Sequence, residues 1–175
     1  MEWTTELRYK RYEDWTEEEK KQIKENMAKS PWHTHYHVEP TSGLLNDPNG
    51  FSYFDGKWIL FYQNFPFGAA HGLKSWVQLE SDDLVHFNET GVKVFPDTPL
   101  DSHGAYSGSA MQFDDKLFLF YTGNVRDENW IRHPYQIGAL MDKEGKIEKI
   151  NKILIDQPAD STDHFRDPQI FNFKG

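Results

Sequence analysis

Two aspartates draw attention because each precedes a proline and because they recur at a long interval. Asp47 lies in "LLNDPNG" and Asp167 in "FRDPQI", 120 residues apart. Paired carboxyl groups are the apparatus of acetal cleavage. One attacks the anomeric carbon or steadies an oxocarbenium-like transition state, while another carboxyl protonates the leaving oxygen. Proline after each aspartate removes a backbone donor and fixes the local chain, which helps hold a carboxylate in place. Arg166, beside Asp167, is expected to depress that carboxyl's pKa and keep it ionised; its alternative role is a surface ion pair of little energetic weight. Taken alone, Asn-Asp-Pro-Asn-Gly is turn chemistry, and Asn49-Gly50 is expected to form a turn.

The elements that must position these carboxylates are short strands in a repeat. "GFSYFDGKWILFYQN" has two strand-like runs joined by Asp55-Gly56, a hairpin signal. "SWVQLESDDLVHF" follows, alternating at Trp76, Val77 and Leu79 before a turn at Asp82-Asp83. "GSAMQFDDKLFLFYTGN" repeats the first layout around Asp114-Asp115, and a further hairpin is expected at Glu144-Gly145. Phe61-Tyr62 returns as Phe120-Tyr121 after 59 residues, and Asp47-Pro48 returns after 120, close to two such units. Each unit holds about four strand-like segments, the pattern of β-propeller blades. The competing reading is chance likeness between hairpins of a β-sandwich. In a propeller the innermost strands line the axis, so Asp47 and Asp167, each at the start of a strand, would face one another across a funnel. The chain holds two units and the opening of a third, whereas a closed ring needs about four. The expectation is therefore the N-terminal part of a longer chain.

Ahead of the strands, "TEEEKKQIKENMAKSP" reads as one surface helix from Thr16 to Lys29. Thr16 and Glu19 form a capping-box pair, acidic residues precede lysines as the helix dipole favours, and Pro31 ends it. The chain thus divides into a helical extension, residues 1–31, and the N-terminal part of a catalytic propeller domain, residues 32–175.

Composition narrows the function classes. Of 175 residues, 15% are aromatic, which suits a β-rich protein or one that stacks flat ligands such as sugar rings. The net charge of −9 argues against a nucleic-acid partner and against an anionic membrane. A phosphorylated substrate would need a local basic pocket working against that charge. Cysteine is absent, which removes disulfides and thiolate zinc sites. The charged N-terminus has no apolar signal core, and no window approaches the ~18 apolar residues of a membrane helix; a cytoplasmic protein is expected. His33, His35 and His37 would share one face of a strand, but nothing else completes a coordination set. Neither metal nor cofactor is expected. Trp58, Phe61 and Phe120 are expected in the strand core.

Five motifs in order, "LLNDPNG", "FYQNFPFG", "HGLKSWVQLESDDLVHF", "YSGSAM" and "FRDPQI", resemble glycoside hydrolase family 32 from about Trp32 onward. The resemblance implies a five-bladed propeller followed by a C-terminal β-sandwich, so the expected fold is all-β, with about two and a half blades here after a short N-terminal helix. It implies retaining cleavage of a terminal β-D-fructofuranoside in a small sugar, sucrose 6-phosphate or sucrose. Invertase or fructan-hydrolase specificity, or a non-catalytic carbohydrate-binding fragment, stays open. Asp47 matches the family's nucleophile and Asp167 its transition-state stabiliser. Asn46, Gln63, Trp76, Ser107 and Arg166 match substrate-contacting positions, while Leu44, Leu45 and Tyr106 flank them. Trp76 is expected to stack on the sugar. Many relatives have Trp-Gly-His where this chain has Trp76-Val77-Gln78, which puts the histidine's contacts in doubt. The family's acid/base glutamate, in a Glu-Cys motif some fifty residues past Arg-Asp-Pro, has no counterpart in these 175 residues. These residues alone are therefore expected to be inactive.

Overall fold

A computed structural model describes residues 2–174. The chain is mostly β, preceded by helix α1 (Thr5–Arg8), a 3-10 turn (Tyr12–Asp14) and helix α2 (Glu17–Ala28). Thr16 and Glu19 form the capping box of α2. Strands β1 (Leu44–Phe54), β2 (Lys57–Phe65), β3 (Ser75–Ser81) and β4 (Asn88–Val94) make one antiparallel sheet in sequential order. Strands β5 (Ala105–Phe113), β6 (Lys116–Arg126), β7 (Arg132–Met141) and β8 (Ile147–Ile155) make a second of the same design. At the first hairpin Asp55 and Gly56 have φ of 47° and 81°. Positive φ at both residues is what the twist of a two-residue hairpin loop demands.

The sheets pack face to face. Ile59, Phe61, Trp76 and Val94 of the first meet Leu117, Leu119, Tyr121 and Ile137 of the second in one buried cluster. Burying each large side chain of this kind contributes roughly 2–3 kcal/mol. The repeat explains an unexpected asymmetry. Phe61 is fully buried, whereas its counterpart Phe120 and nearby Trp58 are half-exposed. Phe61 and Phe120 point the same way from their own sheets. The second sheet covers Phe61, and no described element fully covers Phe120, which stacks on Phe118 at 6.0 Å instead. Trp58 sits on the opposite face of β2 and stacks on Phe51 at 5.5 Å. Of the three expected core aromatics, only Phe61 is core.

Two further expectations are corrected. Asn49-Gly50 forms no turn; both residues lie within β1, in a bulged stretch whose register with β2 shifts between Asn46 and Pro48 and again between Asn49 and Ser52. Pro48 cannot donate to the ladder, which favours a bulge. Gly50 has φ +59°, and a Cβ there would lie 2.8 Å from the Phe61 ring. Asp167 does not begin a strand: residues 156–174 form none. This segment is fastened to side chains of the second sheet rather than to a neighbouring strand. The Asp167 amide donates to Thr122 Oγ1 (2.9 Å), and Ser109 Oγ bonds Pro168 O and Ile170 N, both at 2.9 Å.

Residues 2–15 are docked on the first sheet. Trp15 is buried and stacks on Phe67 at 4.3 Å, and Trp3, Leu7 and Tyr12 join the same cluster.

Candidate active site

The bulge in β1 turns Asp47 toward β5. Its Oδ2 accepts from Gln63 Nε2 on β2 and from Ser107 Oγ on β5, each at 3.0 Å. Gln63 and Ser107 also hydrogen-bond one another. Asn49 Nδ2 donates to the Asp47 carbonyl at 3.0 Å and braces the bulge. Both side-chain bonds land on one oxygen; among the described residues Oδ1 has no partner. A carboxylate with one oxygen anchored and the other free is arranged to act as a nucleophile in a fixed direction. The repeat length accounts for the convergence. Ser107 lies 60 residues after Asp47, and Asp167 lies 60 after Ser107.

Asp47 and Asp167 line one cavity of about 440 Å³, along with Asn46, Gln63, Tyr106 and Arg166. Thr122 and Gln136 position Asp167 from below. Thr122 Oγ1 donates to Gln136 Oε1 at 2.7 Å, and Gln136 Nε2 donates to Phe165 O at 2.9 Å. Both side chains are buried. They hold Asp167 at φ +62°, a left-handed conformation that costs on the order of 1 kcal/mol. Arg166 Nε is 3.5 Å from Asp167 Oδ2 and pulls its pKa down. Burial outweighs this, and with the Asp47 charge it raises the Asp167 pKa overall. The expected net depression by Arg166 is thus reversed, because desolvation of a half-buried carboxyl exceeds one partner's attraction.

Other expected site residues fall outside the cavity. Trp76 is fully buried, and its indole N–H donates to Tyr106 O at 3.0 Å. It pins β5 beside β3 and presents no ring face to a sugar, so the stacking expectation is corrected. Leu45 packs with Tyr62, Val77 and Leu79 on the far face of the first sheet. Leu44 opens β1 opposite Phe65. Gln78 is buried and donates to Glu80 at 2.7 Å. His33 is paired with Glu39 at 2.8 Å, and among the described residues no three His, Cys, Asp or Glu side chains are grouped as a metal site requires.

The cavity has cationic walls that sequence reasoning missed. Lys74 and His71 approach from the loop before β3, Arg126 and Arg132 from the β6–β7 hairpin, and Arg8 from α1. Burial brings the Lys74 pKa down to about 8, aided by Arg166 and opposed by Asp47. The Lys74 charge and burial lower the His71 pKa in turn. "HGLKSW" held two of these residues in plain view. Nothing local marked Arg8, which reaches the site through the docking of a distant segment.

The sequence model of the Glycosyl hydrolases family 32 N-terminal domain matches residues 37–175. The chain belongs to glycosyl hydrolases family 32. A sucrose-6-phosphate hydrolase of Streptococcus mutans is 72% identical over 169 residues, 97% of this chain and 35% of that protein. The solved structure of sucrose-6-phosphate hydrolase from Lactobacillus gasseri superposes with a TM-score of 0.96 at 50% identity, covering 99% of this chain and 36% of that one. This family 32 likeness therefore includes the N-terminal segment that the domain match leaves out. The Bombyx mori GH32 beta-fructofuranosidase in complex with sucrose is more distant, with a TM-score of 0.73 at 30% identity over 91% of this chain and 35% of that one. The chain spans about a third of the length of these family 32 relatives and corresponds to their N-terminal portion.

Proposed function

We propose that this chain is the nucleophile-bearing portion of a retaining β-fructofuranosidase that acts on sucrose 6-phosphate. The observation that carries the reading is the Asp47 carboxylate, anchored on one oxygen by Gln63 and Ser107 and sharing its cavity with Asp167. In the first step Asp47 attacks the anomeric carbon of the fructosyl unit, and the bond to the glucosyl oxygen breaks as that oxygen takes a proton. Water then releases fructose and regenerates the carboxylate. Asp167 steadies the positive charge that develops on the ring. Asn46 Oδ1 and Gln63 Oε1 are buried without partners among the described residues, and they are acceptors for sugar hydroxyls. The cations of the cavity, in a chain of net charge −9, favour a phosphorylated sugar over sucrose or a fructan. A cytoplasmic location suits a sugar phosphorylated on import. The complete fold of this reading is a five-bladed propeller.

Among the described residues the carboxyl groups lining the cavity are Asp47 and Asp167. Protonation of the leaving oxygen then falls to a group supplied by the further length that the relatives have. The test joins this chain to the matching C-terminal two-thirds of a relative and measures fructose release from sucrose 6-phosphate, sucrose and inulin. Asp47→Asn is expected to lower kcat at least about a thousand-fold, with the circular dichroism spectrum unchanged. Retained turnover would overturn the assignment, and fructose release by the 175-residue chain alone would overturn the need for a further acid.

A further inference from the structure

Residues 2–15 form a strap, and the strap is built into the site. Trp3 packs over Gly68, where a Cβ would lie 1.9 Å from the indole. The Arg8 carbonyl passes over Gly72, where a Cβ would lie 2.5 Å from that oxygen. Leu73 N donates to this carbonyl at 2.7 Å, and Tyr12 Oη lies 3.0 Å from both Leu73 O and Ser75 Oγ. Arg11 Nη1 donates to Ser102 O at 2.8 Å, tying the strap to the loop before β5. Two glycines thus leave room for a segment that is hydrogen-bonded on both sides.

The strap delivers Arg8 and Tyr9 to the cavity wall. Tyr9 packs edge-on against Trp130 at 5.1 Å, and Arg126 lies 5.6 Å from the same indole ring. Arg8 Nε, Arg126 Nε and Arg132 Nε are all buried without a hydrogen-bond partner among the described residues. A buried donor left unpaired costs free energy. Three of them on one cavity mark a place for a multiply charged anion, which guanidinium groups bind through several directed bonds. The unpartnered acceptors, Asn46 Oδ1 and Gln63 Oε1, belong to β1 and β2 on the Asp47 side. One cavity therefore presents acceptors beside the nucleophile and donors on strap and hairpin.

We propose that the N-terminal strap is a specificity-determining part of the site. Arg8, carried in from outside the catalytic domain, binds the phosphate of the phosphorylated sugar together with Arg126 and Arg132. This rests on the fructoside reading of the cavity given above.

The test titrates the chain calorimetrically with sucrose 6-phosphate and with sucrose. The phosphorylated sugar is expected to bind at least roughly ten-fold tighter. Arg8→Ala removes most of that gain and lowers sucrose affinity far less, since the Arg8 carbonyl that docks the strap is retained. Arg8→Lys recovers part of the gain, because it keeps the charge but not the fork. Trp15→Ala, which loosens the strap without touching the cavity, lowers the gain in the same direction. Equal affinity for the two sugars overturns the proposal, as does a phosphate gain that survives Arg8→Ala at an unchanged melting midpoint. Sucrose binding without a phosphate gain overturns the strap's role alone; failure to bind either sugar overturns the fructoside reading with it.

Discussion

Lys74 offers a sharp test, because the site holds a buried cation at the expense of the fold. The residue is 7% exposed and lies just before β3, where its carbonyl accepts from Ala105 N at 2.9 Å. Its pKa falls from 10.5 to about 8, burial being the main cause. A fall of that size corresponds to about 3 kcal/mol of folding free energy. The sign follows from proton counting. The folded-state pKa lies below the unfolded one, so between pH 8 and 10.5 the unfolded chain holds a proton that the folded chain has lost. Stability from this group therefore rises as pH climbs through that window, and the cost is fully present below it. Lys74→Met keeps the length and the packing and removes the charge. At pH 7 the variant is expected to be more stable, by up to about 3 kcal/mol. The gap should close as pH approaches 10.5. Urea unfolding followed by tryptophan fluorescence at pH 7, 8, 9 and 10 measures it, and the difference between variant and parent cancels the tyrosines. A gap that does not change with pH, or a variant less stable at pH 7, would refute the reasoning. Sucrose 6-phosphate binding should weaken in the same variant, so stability and binding move in opposite directions, as they do when a site is held against the fold's preference.

Two other perturbations probe the carboxylate pair and its scaffold. Asp167→Asn should raise stability at neutral pH and have little effect below pH 4, because burial raises this pKa and the charged form is the disfavoured one; the same denaturation series checks it, and a benefit confined to acid pH would contradict it. Gly50→Ala should destabilise the chain by about 2 kcal/mol, since it forces a side chain into φ +59° and against the Phe61 and Trp76 rings; a melting midpoint equal to the parent's would show that the bulge can relax.

Much of this chain is written locally. The capping box at Thr16 and Glu19 and the Asp55-Gly56 hairpin are each decided by a few adjacent residues, so pattern and structure agree there. The long repeat also survives folding, because strands of equal design form sheets of equal design, and it brings Asp47 and Ser107 side by side. Where an outcome depends on what covers a surface, sequence reasoning failed. Phe61 and Phe120 are equivalent letters, yet one is core and the other half-exposed, because only Phe61 has a second sheet over it. Trp76 reads as a sugar platform, and the packing of the two sheets encloses it. Asn49-Gly50 reads as a turn, and pairing with β2 draws it into the strand as a bulge.

The same division runs through the site. The types and spacing of Asp47 and Asp167 pointed to a carboxylate pair, and the folded chain does bring both to one cavity. The cationic wall had no such marker. Arg8, Lys74 and the pair Arg126 and Arg132 come from three separate stretches, and their nearness depends on a strap docked across two glycines and on the register of a distant hairpin. The pKa of Asp167 follows the same rule. The arginine beside it in sequence argued for a depressed value, and burial, which exists only after folding, raised it.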